Sequence, residues 1–178
     1  MNYQMKSFKN FVLLAVIGLS FSCGSKEDES PVDSKMLIGD WDFESYEYSV
    51  TSKMTFDGDI FESKSVGTAT ESDAKVSFNE SPNTYTGGGY YVVSLKTETN
   101  GTSYEEEIKI DNFFQNGTWV VNGDKLLTTN SAQQTDELKI IELNNTSLVV
   151  YFIKELTEDS NGSTFETKAE GTAYFTRN

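Results

Sequence analysis

The chain of 178 residues has no histidine, one cysteine, one arginine and two prolines. Without histidine, neither a Ser–His nor a Cys–His nucleophile pair can be built. Zinc sites draw mostly on His and Cys, so they lose their usual ligands as well. A single cysteine leaves no partner for an internal disulfide. Basic residues number 14 against 28 acidic ones, a formal net charge of −14, which argues against a nucleic-acid partner. No apolar run is long enough to span a membrane. The longest, Phe11 to Phe21, rises only about 16 Å as a helix against a hydrocarbon core of about 30 Å. Carboxylates are plentiful, but Asp57-Gly58-Asp59, Glu105-Glu106-Glu107 and the acidic stretch 155–159 lack the spacing of an EF-hand loop. Gly87-Gly88-Gly89 has no following Gly-Lys-Ser/Thr and reads as a loop or strand kink, not a phosphate cradle. The expectation is a protein that is not an enzyme, with no metal and no cofactor.

What the chain does have begins at its N-terminus. Lys6 and Lys9 precede the apolar run, which ends in Ser22-Cys23-Gly24. A positive start, a short apolar segment and small residues at the cut form a secretory signal peptide, here residues 1–22, with cleavage between Ser22 and Cys23. A small residue followed by cysteine at this place resembles the lipobox of bacterial lipoproteins. That resemblance implies lipid attachment at Cys23 and anchoring to a membrane through its acyl chains. Residues 23–36 are polar and acidic and read as a flexible tether. Their Lys26-Glu27-Asp28-Glu29 run resembles the acidic export signal of Bacteroidetes-type surface lipoproteins, which implies an outer-membrane protein exposed at the cell surface. Loss of Lys6 and Lys9 from the 14 basic residues leaves 12 against 28 acidic, a formal charge of −16. So acidic a domain is repelled by anionic headgroups and would steer in a cationic protein.

Residues 37–178 suffice for one domain. No 3.6-residue periodicity persists over three turns, whereas alternation and β-branched or aromatic residues recur throughout, so the domain is all-β. Strands are expected at 40–50, 52–56, 60–65, 74–79, 89–97, 103–110, 117–122, 125–129, 137–143, 147–155 and 163–176. Between them lie Asp57-Gly58-Asp59, Asn100-Gly101, Asn122-Gly123-Asp124, Asn144-Asn145 and Asn161-Gly162, which tolerate the positive φ of tight hairpins. Hairpin-linked neighbours predict an antiparallel up-and-down β-barrel, with an open two-sheet β-sandwich as the alternative. Phe43, Phe56, Phe61, Phe78, Tyr91, Trp119, Tyr151 and Phe165 are expected mostly in the core. Strict alternation sets Tyr46 and Tyr48 on the face opposite Phe43, where outward tyrosines can stack on a glycan. Tyr90 and Tyr91 take both faces of their strand.

Leu37-Ile38-Gly39-Asp40-Trp41-Asp42-Phe43 opens the first strand. With Lys75-Val76-Ser77-Phe78-Asn79, Gly117-Thr118-Trp119-Val120-Val121-Asn122-Gly123-Asp124-Lys125-Leu126 and Glu142-Leu143-Asn144-Asn145-Thr146-Ser147-Leu148-Val149-Val150, it resembles the lipocalin-like (calycin) domains of bacterial lipoproteins, which begin with Gly-x-Trp. The resemblance covers nearly all of residues 37–178. It implies that Gly39, Trp41 and a basic residue on the last strand, here Arg177, close one end of the barrel. The Thr-Asp-Tyr turn of secreted eukaryotic lipocalins is absent, so their ligand chemistry does not carry over. An eight-stranded interior is either filled by side chains or holds one small ligand, and the sequence leaves both open. The expected function is non-enzymatic binding of a small apolar or amphipathic ligand at the cell envelope, by residues the sequence does not identify. The alternative is a surface module whose barrel is scaffold for binding a glycan or a cationic protein.

Overall fold

In a computed structural model the described residues are 32–99, 101–111, 114–160 and 163–177. Residues 1–31, with Ser22, Cys23 and the expected signal peptide, lie outside them. A 3-10 turn at Ser34–Leu37, capped by the Asp33 carboxylate on the Lys35 N–H, leads into eleven strands. These are β1 (Gly39–Phe56), β2 (Asp59–Ser72), β3 (Lys75–Asn79), β4 (Thr84–Gly88), β5 (Tyr90–Thr99), β6 (Thr102–Asp111), β7 (Gly117–Asn122), β8 (Lys125–Asn130), β9 (Thr135–Leu143), β10 (Ser147–Ser160) and β11 (Ser163–Thr176).

All pairings are antiparallel, and the first and last strands join. Eight staves result, because three are each made of two strands. β2 and β3 both pair with β1, at positions 47–56 and 39–42. β4 and β5 continue one another against β3 and β2, and β6 and β7 against β5 and β4. The domain is thus a closed antiparallel barrel of up-and-down order, not the two-sheet sandwich.

The breaks have local causes. Gly89 has φ +84, and a Cβ there would lie 2.6 Å from the Asp73 carbonyl oxygen, so only glycine lets the two staves bend together. The Tyr90 N–H donates to the Asp73 carboxylate at 2.6 Å and the Asp73 N–H to the Tyr90 carbonyl at 3.0 Å, which pins the bend. Gly89 is therefore the kink, while Gly87 and Gly88 finish β4, a strand the sequence reading leaves as loop. β2 runs on past the expected 65 to Ser72, and β1 runs 18 residues without the expected interruption at Thr51 and carries a bulge between Phe43 and Ser45. One extra residue reverses the alternation beyond it. Tyr46 and Tyr48 consequently turn inward with Phe43, and Tyr46 is only 4% exposed. The expectation that these two tyrosines face outward for glycan stacking is corrected.

One end of the barrel is closed. Leu37 and Trp41 are fully buried there with Val76, Phe78, Trp119, Leu126, Ile140 and Leu148. The Trp119 indole N–H donates to the carbonyls of Asn79 and Thr84, clipping the β3–β4 hairpin to β7. Outward positions are charged, with Lys53–Glu166 at 3.3 Å and Lys168–Glu170 at 2.9 Å across and along the wall.

Candidate functional site

At the closed end the chain's only arginine lies across the Gly-x-Trp segment. The Arg177 guanidinium carbon sits 4.2 Å from the centroid of the Trp41 ring. Its nitrogens donate to the carbonyls of Ile38 at 2.7 Å, Met36 at 2.9 Å and Asn145 at 2.8 Å. The Trp41 indole N–H donates to the Leu37 carbonyl at 2.9 Å. Gly39 has φ +123, and a Cβ on it would stand 3.2 Å from an Arg177 nitrogen. The three residues singled out in the sequence therefore meet at one place, and every group in it is consumed by packing and hydrogen bonds within the chain.

Above this end the interior is crossed by a layer of rings. Phe43 lies 5.3 Å from Tyr91, 5.6 Å from Phe175 and 6.3 Å from Phe114, and Tyr46 stacks on Phe152 at 5.8 Å. Tyr48 caps the layer, 5.0 Å from Tyr46. Its ring fits because its neighbours are glycines: a Cβ at Gly67 would meet the Tyr48 ring at 2.2 Å, and one at Gly171 would meet the Glu47 carbonyl oxygen at 2.6 Å. Burial raises the phenol pKa of Tyr46, Tyr48 and Tyr91. The nearby Glu106 carboxylate adds to the effect at Tyr48. These phenols stay protonated at neutral pH and act as hydrogen-bonding groups, not as bases.

Beyond the layer the inward rows change character. On adjacent strands the register aligns Val50 with Ala169 and Ser65, and Ser65 with Thr97; one step further it aligns Ser52 with Thr167 and Ser63. Small side chains have replaced rings. The Ser65 and Thr97 hydroxyls hydrogen-bond at 2.8 Å, which satisfies two buried polar groups in a row that continues through Val50 and Ala169 to Lys154. On β10 the inward row continues through Phe152, Lys154 and Leu156, where Lys154 pairs with Asp136 of β9 at 2.5 Å. At the far end Met54 lies between Phe61 and Phe165, and Phe56 and Phe61 are 51% and 42% exposed. Phe56 and Phe61, expected in the core, form an apolar mouth instead.

β8 and β9 are short, and this shapes the wall. β9 pairs with β10 only as far as Tyr151, and β8 borders β7 but not β6. The upper half is therefore a trough of six strands, in the order β6, β5, β2, β1, β11, β10, open along one side between β6 and β10. None of the trough residues is marked out by a motif. Their signal is a change of side-chain size along the inward rows, which emerges once register is known.

The model of a family described as a lipocalin-like domain matches residues 37–150. No curated protein matches the chain. Among solved structures, a polyisoprenoid binding domain from Saccharophagus degradans, implicated in plant cell wall breakdown, aligns at 7% identity and a TM-score of 0.28, covering 78% of this chain and 98% of that one. Ail, the attachment invasion locus protein of Yersinia pestis, aligns at 12% identity and a TM-score of 0.25, covering 78% of this chain and 99% of that one. Scores this low leave both likenesses too loose to bear on a ligand.

Proposed function

Because this chain belongs to the lipocalin-like domain family, we propose that it is a non-enzymatic binder that takes one small apolar or amphipathic molecule into the upper half of its barrel. The observation that carries this reading is the switch along the inward rows from a packed ring layer to Gly, Ala, Ser and Thr, with Met54, Phe56, Phe61 and Phe165 around the mouth. A chain of methylenes laid over Val50, Ala169, Leu156 and the rings gains about 0.8 kcal/mol per buried CH2. The hydroxyls of Ser63, Ser65, Thr97 and Thr167 offer a polar group local partners. A fluorescent fatty-acid probe should gain emission with the protein and be displaced by envelope extract. Thr167→Trp, which fills the trough near the mouth, should abolish this while the far-ultraviolet circular dichroism of the barrel persists. A wild-type protein that binds no displaceable probe ends the proposal.

The same reading sets the protein at the cell envelope. Cleavage before Cys23 and acylation of its thiol would anchor the barrel to a membrane, with residues 23–32 as connection to the 3-10 turn at Ser34–Leu37. Gly39, Trp41 and Arg177 then serve structure, closing the end nearest the anchor, and leave the far end for the ligand.

A further inference from the structure

β6 is the last strand of the sheet order. It is hydrogen-bonded to β5 along all ten of its residues, with no register shift, and pairs with no other strand among the described residues. Its outer row of backbone N–H and C=O groups borders the side opening of the trough. Exposed edges of this length invite another strand, and proteins guard them with proline, bulges or charge. β6 has neither proline nor bulge. Its guard is charge: Glu107 and Glu105, the latter accepting the Ser94 hydroxyl at 2.7 Å and lying opposite Lys96, stand on its outward face, where Lys109 bends away to Asp111 at 3.4 Å and lies 3.9 Å over the Tyr90 ring.

That guard is selective. Two copies pairing antiparallel through the middle of β6 would set Glu105 of each against Glu107 of the other, and like charges directly opposed destabilise a sheet. A second copy is thus disfavoured as the occupant. The same two carboxylates favour a strand bearing Lys or Arg at alternate positions, and the net charge of −14 steers such a segment inward. On the other face Tyr104, 47% exposed, and Ile108 flank the Glu106 carboxylate, so this row is apolar at two positions and acidic between them. We propose that β6 is a docking edge for an extended basic segment of a partner protein, which adds as a further strand. Its cations would lie against Glu105 and Glu107, and its alternate apolar side chains beside Tyr104 and Ile108, a mode of recognition in which main-chain bonds supply affinity and alternate side chains specificity.

The test uses the full chain and two ten-residue peptides, one alternating Lys with Val and one alternating Glu with Val. The Lys–Val peptide should slow amide hydrogen exchange in residues 102–111 about tenfold or more at alternate positions, and the Glu–Val peptide should not. Glu105→Gln with Glu107→Gln, which keeps shape, should weaken Lys–Val binding about fivefold, the product of two cross-strand charge pairs. Reversing both charges to Lys should transfer the preference to the Glu–Val peptide. Protection appearing outside β6, equal affinity for the charge-reversed protein, or a wild-type dimer already protected along 102–111 would each overturn the assignment.

Discussion

Arg177, the residue after the last strand, lies over Trp41 near the start of the first, with its guanidinium carbon 4.2 Å from the ring centroid. One side chain thereby joins both termini of the barrel, since its nitrogens also hold the carbonyls of Met36, Ile38 and Asn145. A guanidinium over a desolvated indole contributes about 0.5 to 2 kcal/mol, and hydrogen bonds to a charged donor contribute more. Arg177→Ala should cost about 2 to 4 kcal/mol and shift the tryptophan emission. Arg177→Lys should recover little, because one ammonium cannot replace a planar fork reaching three carbonyls. Unchanged melting temperature and fluorescence in Arg177→Ala would remove its closing role.

Glycines 67 and 171 make a graded pair. The Cβ of Gly67→Ala has three Tyr48 ring atoms as its nearest neighbours, and the ring can rotate, whereas that of Gly171→Ala meets the Glu47 backbone carbonyl as well as Tyr48 and Phe152. Overpacking costs about 1 to 3 kcal/mol when neighbours can yield and more when they are backbone. Urea denaturation should rank Gly171→Ala as the more damaging substitution. The reverse order would mean that Tyr48 is not seated between the two glycines.

Stability should be flat through neutral pH and fall in alkali. Tyr46, Tyr48 and Tyr91 have phenols raised above the usual 10.0, chiefly by burial. Above pH 10 the unfolded chain releases these protons while the native barrel retains them. The unfolded state then binds fewer protons, and unfolding becomes easier as pH rises. Each phenol contributes a slope of about 1.4 kcal/mol per pH unit until its native form also ionises. The tyrosinate absorbance of these buried phenols should therefore rise in a step coincident with unfolding. A single non-cooperative titration of all tyrosines in the folded protein would contradict the buried layer.

The anchor is open to a direct measurement. If Cys23 is acylated as proposed, Cys23→Ser in the full-length precursor should move the protein from the membrane to the soluble fraction, since acyl chains, at about 0.8 kcal/mol per buried methylene, would be the membrane contact of this acidic domain. A variant that stays membrane-bound would reject lipid attachment at Cys23.

Legibility in the sequence followed the range of the physics involved. Asp57-Gly58 and Asn122-Gly123 marked hairpins because positive φ is a one-residue demand, met at Asp57, Gly58 and Gly123. The Gly-x-Trp opening and Arg177 were visible through the resemblance to lipocalin-like domains, which places a basic residue on the last strand near the opening Trp. The bulge after Phe43 left no local mark, because it is decided by how β1 must pair with β11 and β3, and it reversed the reading of Tyr46 and Tyr48. β4 was lost for a related reason. Thr84-Tyr85-Thr86 is short and runs into glycines, and becomes a strand only because β3 and β7 flank it. The trough was the least legible part, since small inward residues acquire meaning only when several strands are laid side by side.

The two poles of the barrel have opposite orientations toward whatever holds the chain. Leu37 enters at the closed end, and β1 then runs 18 residues to the mouth at Phe56. At about 3.3 Å per residue and a tilt near 40°, that distance is about 45 Å along the barrel axis. The ten residues from Cys23 to Val32 reach at most about 35 Å. A barrel held through Cys23 can stand upright or lie on its side, but its leash is too short to turn it upside down. The mouth would face outward from the anchoring membrane, toward cargo arriving from outside.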